Sequence, residues 1–419
     1  MDGEAPIVSK KRMRLDLPPS CLQFCPVDPA YFVVGTYNLQ AEDSRGTISP
    51  DAEGNQVDVA RTQQNRNGSL ILFRLDDRDI RVEQTILQPS ALLDLRFSPR
   101  VAGSQSILAT VSSTGSLAIF GLDTSRRPAL RHITTSRCED VGEDVLFLQC
   151  NWHPSAERLI AVTTSTGLAR LLQLDDEWRI KEWTDLSVQN TLEAWSINLV
   201  RSEKSDGDVQ GECGQTIAYC GGDDSKLRFV PWSWDSNSSL EESHTTSPPA
   251  TIKGQHNAGV TAILPLSCWA LNGGRIVLTG SYDDHLRVFA IQDLDSGCAA
   301  QRVQLLSEIN LGGGVWRLNL IDSSSGPPEV GRVQIRVLAS CMHAGARIVS
   351  IATSDGAVWK CSIAARFEEH ESMNYASDSI PFDKARGLRC ISTSFYDKLL
   401  CLWEYSPLSV KDGAQQHRS

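Results

Sequence analysis

The stretch from 276 to 291, IVLTGSYDDHLRVFAI, shows the unit from which the chain is built. An apolar run meets a turn carrying Gly or Asp, and an alternating strand follows. Residues such as Asp, Asn, Ser and Gly tolerate the backbone angles of a tight hairpin, and period-2 alternation beside them marks paired strands. The same pattern recurs as YFVVGTYNL (31–39) with a delayed GSLILFRL (68–75), ILATVSSTGSLAIFGL (107–122), LIAVTTSTGLARLLQL (159–174) and IAYCGGDDSKLRFVPW (217–232). After the 276–291 unit it returns as VLASCMHAGARIVSI (337–351) and CISTSFYDKLLCLWEY (390–405). Aligned on Leu70, Leu117, Ala169, Leu227, Leu286, Arg347 and Leu399, the units lie from 47 (70 to 117) to 61 (286 to 347) residues apart. Four strands per unit and a basic period of roughly 40 to 45 residues define a β-propeller blade, so the excess length is loop insertion. The expectation is an all-β, seven-bladed propeller. In the sixth unit ATSDGAVWKCSI could also serve as the central hairpin, but MHAG (342–345) gives the more even spacing.

The last hairpin ends near Tyr405, so that blade lacks an outer strand which the segment before Cys21 can supply, closing the ring and removing a sheet edge. The expected division is an arm with a closing strand at 1–17, the propeller at 18–405 and a polar tail at 406–419. Stretches 39–67, 201–214, 233–251 and 321–331, rich in Ser, Gly, Asp, Asn or Pro, read as surface insertions.

Composition narrows the function. With 40 Lys and Arg against 51 Asp and Glu the net charge is −11, which argues against sequence-independent nucleic-acid binding. No apolar run reaches membrane-helix length, and the polar start MDGEAPIVSKKRMR has no signal-peptide core. The chain is expected to be cytoplasmic, with a nuclear pool possible through Lys10, Lys11, Arg12 and Arg14, which serve equally well as a solvated arm. The 12 cysteines are scattered and form no C-x-x-C pair, against a disulfide framework or zinc site. No G-x-S-x-G, Walker or G-x-G-x-x-G motif occurs, and His370-Glu371-Ser372-Met373-Asn374 lacks the second histidine of H-E-x-x-H. No cofactor and no metal are expected.

In a four-stranded blade the turn between the second and third strands and the connection into the next blade share one face. That face gathers GGDD (221–224), SYDDH (281–285), MHAG, SFYD (394–397), GQHNAGV (254–260), GGGVWR (312–317) and HESMNY (370–375). Some of these residues have a structural explanation. Propeller blades often carry a relay of His, Ser or Thr, Asp and Trp, the Asp six residues before the Trp or its substitute. Asp223 with Phe229, Asp283 with Phe289 and Asp397 with Trp403 fit that spacing. His256 with Ser281 and Asp283, and His370 with Ser394 and Asp397, would complete two relays, because buried polar groups need partners. His343, Arg317, Glu371, Tyr282, Tyr396, Asp284 and His285 are extra to the pattern, and Gly312-Gly313-Gly314 could serve only to let the chain approach a neighbouring blade.

These segments, with LEAWSI (192–197), closely resemble the WD40-repeat diphthine methyl ester hydrolases, also called diphthine methyltransferases. The likeness runs in order through most of 192–404. GGGVWR and SFYD are its most specific parts, and SCLQFCP (20–26) is similar to the family's first strand. Ala376-Ser377-Asp378 stands where Gly-Ala-Asp-Trp is expected, so the aromatic is missing there. The resemblance implies a carboxylic ester hydrolase that removes the methyl ester from methylated diphthine on translation elongation factor 2, a step of diphthamide biosynthesis.

That chemistry assigns expected roles. His343, then His256, would activate water. Arg317 or the amides of Gly312 to Val315 would hold the oxyanion, with Gly313 and Gly314 at the substrate. Trp316, Tyr282 and Tyr396 would surround the trimethylammonium group, and Glu371 or Asp284 would add charge. The elongation factor is the expected partner of a monomeric protein, with neither nucleic acid nor membrane. The competing class is a non-catalytic WD40 scaffold using the same aromatic face as a docking hot spot. A nuclear or chromatin reader rests only on the basic run.

Overall fold

A computed structural model describes residues 7–39, 66–77, 79–102, 105–188, 190–202, 215–234, 239–245, 248–292, 303–326, 331–382 and 387–407. Seven antiparallel sheets follow one another around a ring, as the repeat predicts. Among the described residues there is no α-helix, only a short 3-10 turn at Leu240–Glu242. Each aligned residue falls on the third strand of its blade, and in the sixth blade the turn between Val333–Ser340 and Ala346–Thr353 is the one containing MHAG.

Alternation along the strands sorts apolar residues to both faces of each blade. In the fifth blade Ile276 and Leu278 face a cluster shared with the sixth, while Val277 faces one shared with the fourth. Repeated around the ring, this gives seven clusters, one at each blade junction. Core packing therefore lies between blades, and polar side chains tie the innermost strands around the central axis.

Those side chains tie neighbouring innermost strands together. Gln23 accepts from Phe97 N at 2.7 Å, Asp94 from Cys150 N at 3.2 Å, and Gln149 from Ile197 N at 2.6 Å. Asn198 donates to Ile263 O at 3.4 Å, Thr261 to Val315 O at 2.5 Å, and Asn319 to Ser377 O at 2.6 Å. Asp378 accepts from Phe24 N at 2.8 Å and completes the circuit. Every junction thus carries a side-chain-to-backbone bond that satisfies a buried polar group.

The ring closes through an N-terminal strand. Lys11–Arg14 pairs antiparallel with Leu399–Leu402, and Leu15, 7% exposed, enters the cluster between the seventh and first blades. Arg12 adds an ion pair to Glu369 at 2.8 Å. Deleting residues 1 to 17 exposes this edge and removes Leu15 and Met13 from that cluster. We expect a loss on the order of 3 kcal/mol, seen as a lower midpoint of one cooperative circular-dichroism melt. An unchanged melt would show that closure does not depend on this strand.

Two expected insertions prove partly regular. In 321–331, Asp322–Ser325 continues the innermost strand of the sixth blade and pairs with Val333–Arg336. In 233–251, His244–Thr245 and Ala250–Ile252 together form the outer strand of the fourth blade. Polar composition hid these segments because an edge strand needs only one satisfied side. Most of 39–67 and 201–214 lies outside the described residues.

Candidate functional site

An aromatic rim occupies the face formed by the blade connections. Trp195, Tyr282 and Trp316 make a triangle, with ring centroids 5.5 Å apart for the two tryptophans, 6.3 Å for Trp195–Tyr282 and 5.8 Å for Tyr282–Trp316. From Trp316 the series passes to Tyr375 at 5.0 Å, then to Phe395 at 5.5 Å. Phe395 meets Tyr396 at 5.1 Å and Tyr37 at 6.1 Å. Most of these rings are half-buried, whereas Tyr396 is 69% exposed at the outer end. Carboxylates stand behind the triangle: Asp223 accepts from the Trp195 indole at 3.1 Å. Burial raises the Tyr282 hydroxyl pKa, with Tyr375, Asp223 and Glu193 adding to the shift, so the phenol stays protonated. Such a rim suits a large, soft cation.

Glycines let the backbone reach this arrangement. A Cβ on Gly313 would lie 2.4 Å from the Cys341 carbonyl, and one on Gly314 would lie 2.6 Å from the Met342 sulfur. The connection therefore packs directly on the MHAG turn, placing Trp316 beside Tyr282. Two of the amides expected to hold an oxyanion are already committed: Gly312 N donates to the Asn310 side chain, and Val315 N donates to the Ser281 carbonyl. The amides of Gly313 and Gly314 form no such bond among the described residues.

Directly after Trp316, Arg317 opens the innermost strand of the sixth blade and turns inward. It is 9% exposed, and its guanidinium reaches Asp94 of the second blade at 3.1 Å. The counter-ion that a buried cation needs is thus supplied from across the ring. Burial lowers the Arg317 pKa, and Asp94 opposes that shift. Arg96 lies 3.5 Å from the same carboxylate. Beneath the rim Arg317 and Arg96 border a central cavity of about 330 Å³ whose lining includes Gln23, Gln149, Asn198 and Asp378.

Curated relatives match the chain over nearly its whole length. It is 26% identical over 407 residues to the diphthine methyltransferase of Schizosaccharomyces pombe, covering 96% of this chain and 99% of that protein. Over nearly its whole length the chain is similar to a protein named diphthine methyltransferase. Its likeness to the diphthine methyltransferase homolog of Dictyostelium discoideum is 22% over 425 residues, covering 94% and 99% of the two chains. No family model matches.

The histidines divide sharply. His256 is 4% exposed, and its Nε2 lies 2.9 Å from Thr279 Oγ1. The ring is closed to a substrate, and burial, reinforced by Arg287, lowers its pKa to about 4. His370 is similar: Nε2 is 2.7 Å from Ser392 Oγ, which also receives the Trp403 indole at 3.0 Å. The relays exist, but the hydroxyl partner lies two residues deeper in each strand than expected. Ser281 instead donates to the Ala258 carbonyl and Ser394 to Asp397. The aspartates hold the amides next to the histidines, Asp283 at Asn257 N and Asp397 at Glu371 N. The relay phenylalanine and tryptophan, Phe289 and Trp403, are fully buried core residues.

His343 stays exposed on its turn and makes no hydrogen bond among the described residues. Glu371 is likewise exposed. Asp284 occupies a left-handed backbone conformation, φ 66°, and its carbonyl accepts from Leu311 N. His285 Nδ1 lies 2.7 Å from the Asp283 carbonyl, a contact local to its turn. Among the described residues no group of three or more His, Cys, Asp or Glu gathers as metal ligands.

Sequence reasoning missed Trp195, Tyr375, Phe395 and Tyr37 at the rim, and Asp94, Arg96 and Asp378 below it. A signal existed: Trp195-Ser196-Ile197-Asn198, Trp316-Arg317-Leu318-Asn319 and Tyr375-Ala376-Ser377-Asp378 share an aromatic three residues before a junction-tying Asn or Asp. The aromatic marks the rim, and the polar residue marks the axis.

Proposed function

We propose that the protein is an enzyme of diphthamide biosynthesis that removes the methyl ester of methylated diphthine on translation elongation factor 2. The observation carrying this reading is the Trp195, Tyr282 and Trp316 triangle, backed by Asp223, above a cavity bordered by Arg317. Diphthine joins a trimethylammonium group and an ester on one carbon. A rim that favours a quaternary cation therefore delivers the ester to the groups just beneath it. Arg317 polarises the ester carbonyl in this reading, and exposed Tyr396 and Glu371 meet the surrounding protein surface. The net charge of −11 favours encounter with a cationic partner face, and the cytoplasm is the proposed site of action.

The test is the mass of elongation factor 2 carrying methylated diphthine after incubation with a trace of this protein. Loss of one methyl group per factor, over many turnovers, is the expected result. Unchanged mass with stoichiometric binding would make the rim the docking surface of a scaffold instead.

A further inference from the structure

The central cavity is lined by polar side chains of different chemistry. Gln23 and Gln149 use their carbonyl oxygens to accept backbone amides, which leaves their NH2 groups as donors. Arg96 lines the same cavity, and its buried Nε, 3.5 Å from Asp94, makes no hydrogen bond among the described residues. From the sixth blade Asn319 donates its NH2 to the Ser377 carbonyl and, at 3.4 Å, to Asp378 Oδ1. Beside it Asp378 accepts from Phe24 N through Oδ2 and from Ser379 N, 2.9 Å, through Oδ1. A carboxylate oxygen accepts more than one bond, so Oδ2 retains a free lone pair. A carboxylate and side chains with N–H groups to donate therefore line one space of about 330 Å³.

The cavity continues the rim. Tyr375 immediately precedes the innermost strand Ala376–Pro381, and Asp378 is its third residue. At the rise of an extended strand it sits roughly 10 Å below Tyr375. Arg317 follows Trp316 directly and bridges the two levels through Asp94. Because cation and ester share a carbon, the side chain must enter the mouth of this space, beneath the rim, for its ester to meet these groups.

We propose that the cavity is the hydrolytic centre, with Asp378 as general base and Arg96, alongside Arg317, as oxyanion donor. The assignment rests on the ester-hydrolase reading. Asp378 takes one proton from a water as the water oxygen bonds to the ester carbonyl carbon. The carbonyl electron pair moves to the oxygen facing the guanidinium groups. Collapse restores the carbonyl and breaks the bond to the methoxy oxygen, which takes the proton from Asp378 and leaves as methanol. The acid product then ionises, and the carboxylate of Asp378 is regenerated.

The surroundings tune Asp378 for this task. Burial raises its pKa to about 6, while the amides of Phe24 and Ser379 and the Arg96 charge oppose the rise. The Cys390 thiol lies on the adjoining strand, and its own pKa is raised by burial and by Asp378. Because the charged form of Asp378 is the active one, turnover falls as pH drops through about 6 and is full above it.

The test uses the full chain and elongation factor 2 carrying methylated diphthine. Asp378→Asn is expected to lower kcat about 100-fold or more while KM changes little, and Asp378→Glu to restore part of the rate. Wild-type kcat/KM is expected to show an acid limb near pH 6. Asp378 also ties the seventh blade to the first, so Arg96→Lys is the second variant, with an expected fall of about tenfold in kcat and an intact melt. Retention by Asp378→Asn of more than a tenth of wild-type kcat overturns the assignment while leaving the activity standing. A wild-type profile without the acid limb has the same consequence, as does loss of turnover in His343→Gln with Asp378→Asn still active. Wild-type protein without turnover removes the hydrolase reading and this assignment together.

Discussion

Asp94→Ala is expected to destabilise the protein by about 4 kcal/mol, the range for breaking a buried ion pair by removing one partner. Asp94 is 2% exposed and does three things at once. It accepts the Cys150 amide at the junction of the second and third blades, pairs with Arg317 from the sixth, and lies beside Arg96. Alanine leaves an amide unpaired and two guanidinium groups without their nearest anion. The Coulomb attraction in such a pair barely exceeds the cost of drying both ions, so the loss comes mainly from the stranded cations. Asp94→Ala combined with Arg317→Met should therefore recover part of the stability, with a coupling energy of about 1 to 3 kcal/mol in urea denaturation. Additive losses would show that Arg317 finds enough water or other acceptors in the cavity to do without Asp94.

The same pair shows where reading the sequence stops. The hairpin turns carry the propeller because turn residues and period-2 alternation are local properties, legible without knowing what lies across the ring. Closure was legible as well, from a last blade one strand short. Arg317 could be flagged as a costly buried cation from its place in an innermost strand, but its anion lies on another blade, and nothing local in Leu92-Leu93-Asp94 announces it. The relay hydroxyls failed for a related reason. Ser281 and Thr279 share one face of a strand, and only the depth to which His256 reaches decides between them. At the rim, Trp316 and Tyr282 stood out as turn aromatics, whereas Trp195 and Tyr375 sit at strand entrances, where an aromatic reads equally well as core. Their common offset from Asn198, Asn319 and Asp378 becomes meaningful once those residues are known to line the axis. His343, surplus to the structural pattern in the sequence, lies exposed on its turn.

Trp316→Ala is expected to raise KM about thirtyfold with kcat changed by less than a few-fold. Trp316 touches Trp195, Tyr282 and Tyr375, so it is the ring through which the rim is continuous. A desolvated cation against such a face gains about 2 kcal/mol, which corresponds to the stated change in affinity. The trimethylammonium group keeps its charge throughout ester hydrolysis, so the rim holds ground state and transition state alike, and uniform binding of that kind appears in KM. Trp316→Phe retains a π face and should recover most of the affinity, whereas Trp316→Leu fills similar space without one and should not. Tetramethylammonium is expected to compete with substrate on the wild type and to lose its effect on Trp316→Ala. If Trp316→Leu binds as well as Trp316→Phe, the rim contributes area and not π-face electrostatics. Recognition would then rest on contacts with the elongation factor around the modified residue, where exposed Tyr396 is the first candidate.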